Sequence, residues 1–151
     1  MRTNELLYKV IETLKDDVNA QIEEYNAEYS DNLPTISETD VGLRDVVNGL
    51  RSYPALLISE VSRDGSDAFM TTYNVSICLA LHHDDIDELQ REGTALTDCL
   101  EIAVRADHTL GGLVLDVQNM STELGIVTNT FIAAMSADLV VDLGSLYGMR
   151  N

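Results

Sequence analysis

The chain has 151 residues, 45% hydrophobic and 23% charged, enough for one domain that buries ~70% of the surface its unfolded form exposes, without disulfides or metals. Twenty-six acidic residues stand against nine basic ones, and the net charge of −17 is spread so that residues 1–50, 51–100 and 101–151 carry −7, −6 and −4. This even acidity excludes the clustered Lys and Arg that nucleic-acid binding needs, two cysteines are too few for a secreted disulfide scaffold, and no stretch approaches the ~20 apolar residues of a membrane-spanning helix.

The N-terminus, "MRTNELLYKVIETLKDD", has charges every few residues and lacks the apolar core of a signal peptide, so synthesis in the cytoplasm is expected. The acidity reads as a solubility device, and the presence of only two lysines also suits a salt-rich or crowded setting.

The first predicted element is a long helix. Leu7, Ile11, Leu14, Val18, Ile22, Tyr25 and Tyr29 keep one apolar stripe at a 3.6-residue period. Thr3 or Asn4 is the expected cap, and the helix should end near Ser30 to Asn32, before Pro34. Residues 39–50 suggest a short helix weakened by Gly42 and Gly49, ended by Tyr53-Pro54.

The period then changes to two. Residues 55–61 read as a strand and 62–67 as a turn that includes Arg63, Asp64 and Gly65. In the next strand Phe69, Thr71, Tyr73, Val75, Ile77, Leu79 and Leu81 face one way. Met70, Thr72, Asn74, Ser76, Cys78 and Ala80 face the other. A second helix is expected from about Asp84 to Ala106, with the two aspartates at its positive end and Ile86, Leu89, Gly93, Leu96, Leu100 and Ala103 buried. Strands at 113–120 and 128–143 close the chain, joined by a loop at 119–127. The tail 144–151 is glycine-punctuated and reads as loose in an isolated chain. The expectation is a single α+β domain over 1–151, order α–ββ–α–ββ. Two hairpins form a mainly antiparallel four-stranded sheet, packed against the long N-terminal helix and the central helix.

Candidate chemistry is sparse. His82-His83-Asp84-Asp85 offers metal-ligand types, but neighbouring residues of a strand end point to opposite faces, and the aspartates have a full explanation as a helix start. His108, the only other histidine, lies at the far end of the same helix, roughly 30 Å away at 1.5 Å per residue. "GSLYG" at 144–148 only loosely resembles a nucleophile elbow and sits in the tail. No catalytic, cofactor or metal residue is assigned. The alternatives are a metal-dependent hydrolase using His82 or His83 and an acidic DNA-mimic inhibitor.

The stretch "ADHTLGGLV" (106–114) runs from helix to strand. A phosphate cradle needs the reverse order, strand to helix, so that helix N–H groups point at the anion. The plain reading is a corner in which Gly111 or Gly112 takes positive φ. Leu110 is left over: an apolar side chain that either staples the corner to the core or reaches a neighbouring subunit.

With "YP-ALLISEV", "YNVSICLAL" and "ADHTLGGLVLDV" in this order between helices and a final strand pair, the chain resembles the tail terminator (tail completion) proteins of long-tailed bacteriophages. In that family a helix commonly ends in an Asp-x-Thr-Leu-Gly-Gly corner, matched here by Asp107, Thr109, Leu110, Gly111 and Gly112. The resemblance implies a non-enzymatic structural virion protein without cofactors. It would form a hexameric ring at the head-proximal end of the tail tube, stop tube polymerisation and dock the tail to the head. The implied partners are other copies of itself, the tail tube protein and the head–tail connector or head-completion protein. DNA would pass through the ring without specific binding, and no membrane is involved. The place of action would be the virion tail, after assembly in the host cytoplasm. Residues expected at subunit contacts are Leu110, Gly111 and Gly112, Arg63 and Asp64 in the 62–67 turn, and Leu146, Tyr147 and Met149 in the tail. The loop at 119–127 is expected to reach axial neighbours.

Overall fold

The computed structural model describes residues 1–42, 49–65, 69–142 and 144. Seven elements follow in order: α1 (Thr3–Tyr29), β1 (Glu38–Val41), β2 (Ala55–Asp64), β3 (Met70–His82), α2 (Ile86–Ala106), β4 (Asp116–Val127) and β5 (Thr130–Asp142). The fold is α+β, two helices on a five-stranded mixed sheet of order β1-β2-β3-β5-β4.

Both helices form where apolar residues recur at helical spacing. In α1 the buried set is Leu6, Leu7, Val10, Ile11, Leu14, Val18 and Ile22, so the predicted stripe is right to Ile22, while Tyr29 ends exposed. Arg2, not Thr3 or Asn4, is the N-cap, and it makes no side-chain capping bond. Ser30 closes the helix in the left-handed region (φ 52°). Two asparagines of α1 then clamp the returning chain. Asn26 accepts from Leu33 N–H at 2.7 Å and donates to Leu33 C=O at 3.1 Å; Asn19 does the same for Ile36 at 2.7 and 3.4 Å. A side-chain amide thus satisfies an extended backbone as a neighbouring strand would. In α2 the start is an N-cap at Asp85, whose carboxylate accepts the N–H groups of Asp87 and Glu88.

Residues 39–41 belong to strand β1, not to the short helix expected at 39–50; 43–48 lie outside the described residues. β1 pairs with β2 in parallel, from Glu38 beside Ala55 to Val41 beside Ile58. The β-branched Thr39 and Val41 suit a strand, and the Thr39 hydroxyl donates to Glu12 of α1. This fifth strand corrects the order to α–βββ–α–ββ and the sheet to mixed. β2 also runs on through Arg63 and Asp64, which pair with Tyr73 and Thr72 and are therefore strand residues rather than turn residues.

The larger correction is at β4. It spans Asp116–Val127, so residues 119–127 are strand instead of loop, and 113–115 belong to the preceding corner. Between Gln118 and Ser121 the β4–β5 register shifts: two residues of β4, Asn119 (φ 53°) and Met120, face the single Ala137 of β5. Such a bulge moves every later side chain to the opposite face. Val117 faces the helices before it; Thr122, Leu124 and Ile126 face them after it, opposite Met135, Ala133 and Phe131.

Both helices lie on one face. Their buried residues form a single core with Tyr73, Val75, Ile77 and Leu79 of β3 and Phe131, Ala133, Met135, Ala137 and Leu139 of β5. α1 contacts β1, β2 and α2, and α2 contacts β3 and β5. No described helix covers the other face, and among the described residues no helix is long and apolar enough to cross a membrane.

Candidate functional site

The corner at 107–112 is built by its own polar groups. Asp107 leaves α2 with φ −139°, and its carboxylate accepts Gly111 N–H at 2.8 Å and the Thr109 hydroxyl at 3.0 Å. Gly112 N–H is taken by Thr109, at its C=O (3.1 Å) and its hydroxyl (3.3 Å). Leu110, Gly111 and Gly112 all sit at positive φ (49°, 70° and 81°), which glycine takes freely and leucine only against strain. Burial supplies the compensation: Leu110 is 1% exposed and belongs to the central core. Of its two expected roles, stapling the corner to its own core is the one seen.

The electrostatics follow from these bonds. The Gly111 N–H, then the Thr109 hydroxyl, hold the Asp107 carboxyl below the usual carboxylate range. Asp116 at the start of β4 is held low by Gln118 first, then by Val117 N–H and His108, whose Nδ1 lies 2.9 Å away. The N–H groups of Gly111 and Gly112, which an anion would need, already have partners inside the corner. The loop can therefore fix the direction of the last hairpin; it does not present a phosphate cradle.

The helix-free face carries a polar end and a small-residue end. At the polar end Asp138 accepts from Asn74 at 3.0 Å and from Asn119 at 2.9 Å, with Asn119 the main cause of its lowered pKa. Ser62, Asp64, Thr72 and Gln118 line the shallow groove around them. Below it Ser59, Ser76, Ser136 and Ser121 form one row across four strands. Cys78 lies on the same face one row further, its thiol pushed up to about 11 by burial.

The remaining predicted residues are dispersed. Arg63 is not a projecting turn residue: it pairs with Glu60 (Nε to Oε2, 2.6 Å) and lies 4.8 Å over the Tyr73 ring. Asp64 is exposed, and its backbone C=O accepts the Thr71 hydroxyl. Leu146, Tyr147 and Met149 lie outside the described residues. His82 and His83 diverge. His82 Nδ1 lies 3.4 Å from the Thr130 hydroxyl, and its ring lies 5.6 Å from that of Tyr53. His83 Nδ1 accepts Asp85 N–H at 2.9 Å, which helps start α2.

One exposed feature escaped the pattern reading: the outer half of β4. Leu124, Ile126 and Val127 are 55%, 38% and 52% exposed on a strand that, among the described residues, pairs only with β5. The one-residue bulge had hidden the alternation that would have revealed a strand there. No protein-family model matches the chain and no curated protein matches it.

Proposed function

We propose that the chain is a non-enzymatic structural protein of a tailed virion. As a ring-forming tail terminator it caps the head-proximal end of the tail tube, stops tube growth and docks the tail to the head connector. The observation that carries this reading is the corner at 107–112. Asp107 and Thr109 use their polar groups on the backbone of Gly111 and Gly112, and Leu110 is buried, so the last hairpin leaves the core in a fixed direction. A joint that aims a hairpin serves assembly, where partner and copy must meet in one geometry. The α+β arrangement and the Asp-x-Thr-Leu-Gly-Gly sequence support the same reading. In the ring the partners are five further copies, the tail tube protein and the connector or head-completion protein. An evenly acidic wall lets DNA slide past without binding.

The test is antibody labelling of tailed particles made by the encoding genome, with averaged images of the head–tail junction. The expected result is label at that junction, on a six-fold ring. Label elsewhere, or particles that contain none of this chain, overturns the reading.

A further inference from the structure

The two edges of the sheet are treated differently. β1 is blunted: it is four residues long, carries the carboxylates of Glu38 and Asp40, and Asp40 Oδ1 itself takes the Val41 N–H at 2.8 Å. Short length and charge are how sheet edges resist addition of another strand. β4 has no such protection along its outer half. Among the described residues no strand lies on its outer side, and the stretch 119–130 holds a single charged residue, Glu123, in a chain of net charge −17. Leu124 and Ile126 stand on the helix side of this edge, which α2 leaves uncovered because it packs on β3 and β5.

We propose that β4 is a self-association edge. Residues 121–127 pair antiparallel with the same segment of a second copy, joining two sheets about a two-fold axis. Charge selects the occupant. A basic partner would be drawn to the carboxylate-rich surface elsewhere, and it finds one carboxylate here. Another copy is itself strongly acidic and can approach closely only where charge is absent. The segment also matches itself. An antiparallel register centred on Leu124 sets Glu123 opposite Gly125, and one centred on Gly125 sets Glu123 opposite Val127 and Leu124 opposite Ile126. Both avoid like charges in direct opposition and lay apolar side chains together over the helix-side gap. With β1 blunted, each copy offers one open edge, so pairing closes at two copies instead of running on as a fibre.

The inference is independent of the tail reading: it concerns the free protein, whereas that reading is tested on the particle. Light scattering coupled to size exclusion, at on the order of 100 μM where a micromolar association is near complete, should give twice the 16.6 kDa chain mass. The double variant Leu124→Lys, Ile126→Lys should elute at the single-chain mass with an unchanged circular dichroism spectrum. In the native chain, amide exchange of 121–127 should slow as concentration rises, a readout that holds even if the variant does not fold. A native chain that stays monomeric overturns the proposal. So does any oligomer the two lysines leave intact, or exchange at 121–127 that is independent of concentration.

Discussion

Asp17, on α1, sits in an unbalanced environment. Its Oδ2 is buried without a hydrogen-bond partner, and burial first, then the charges of Asp107 and Asp16, raise its pKa. A carboxyl raised in the folded state favours folding while protonated, and that contribution is lost as pH rises through the folded pKa. At neutral pH the ionised group therefore opposes folding. Replacing Asp17 with Asn removes the charge and keeps the shape. The variant should be more stable at pH 7 by a fraction of ~1 kcal/mol, because solvent screens a carboxyl of which only one oxygen is buried. The gain should vanish below the ordinary carboxylate pKa of 3.8, where both side chains are neutral. Urea denaturation at pH 7 and pH 3 checks both halves, and a loss of stability at pH 7 would refute the assignment. In the sequence Asp17 is one acid among 26, with nothing to mark it. Its neighbour Asp107 lies 90 positions away, so only folding brings them together.

Between elements, α2 packs closely against β5 at Gly93. A Cβ added there would collide with the Phe131 ring, which is itself buried. Alanine is favoured over glycine in a helix by about 1 kcal/mol, but overpacking a filled core costs ~1–3 kcal/mol and a buried aromatic ring has no room to yield. Gly93→Ala should therefore lower stability by up to about 2 kcal/mol net. Thermal unfolding decides it; a stabilised variant would show that helix and strand can separate freely. This contact was partly legible, since Gly93 falls on the apolar stripe of α2 and a glycine there signals close approach. The partner ring was not. The same limit applied at β4: each half alternates, but the inserted residue shifts the phase, and alternation read in one phase becomes a loop in the other. β1 escaped for a different reason. Four residues are too few to show a period, and the strand exists because β2 and α1 flank it.

Across the whole molecule, uncompensated negative charge works against stability. A net charge of −17 on 151 residues repels itself in the compact state, a cost that mobile ions reduce. The Debye length falls from about 30 Å at 0.01 M salt to about 3 Å at 1 M. Sodium chloride over this range should raise Tm by several degrees, measured by calorimetry at neutral pH. A flat or falling Tm would mean that the carboxylates are already balanced by local partners. Some are, as where Arg91 bonds Asp31 at 2.6 Å and Glu88 at 2.9 Å, but nine cations do not suffice for 26 acids.

By itself the sequence determined the two helices, the β2–β3 and β4–β5 pairs in outline, the two alternating faces of β3, and the corner at 107–112. Each is decided by residues within a few positions of one another, where period, caps and glycines act. Tertiary structure alone decided that β1 joins in parallel, that Leu110 turns inward, that Asp17 meets Asp107, and that one sheet edge is blunted while the other is open. These depend on distances between segments far apart in the chain, and a local pattern carries no record of which remote backbone will lie beside it.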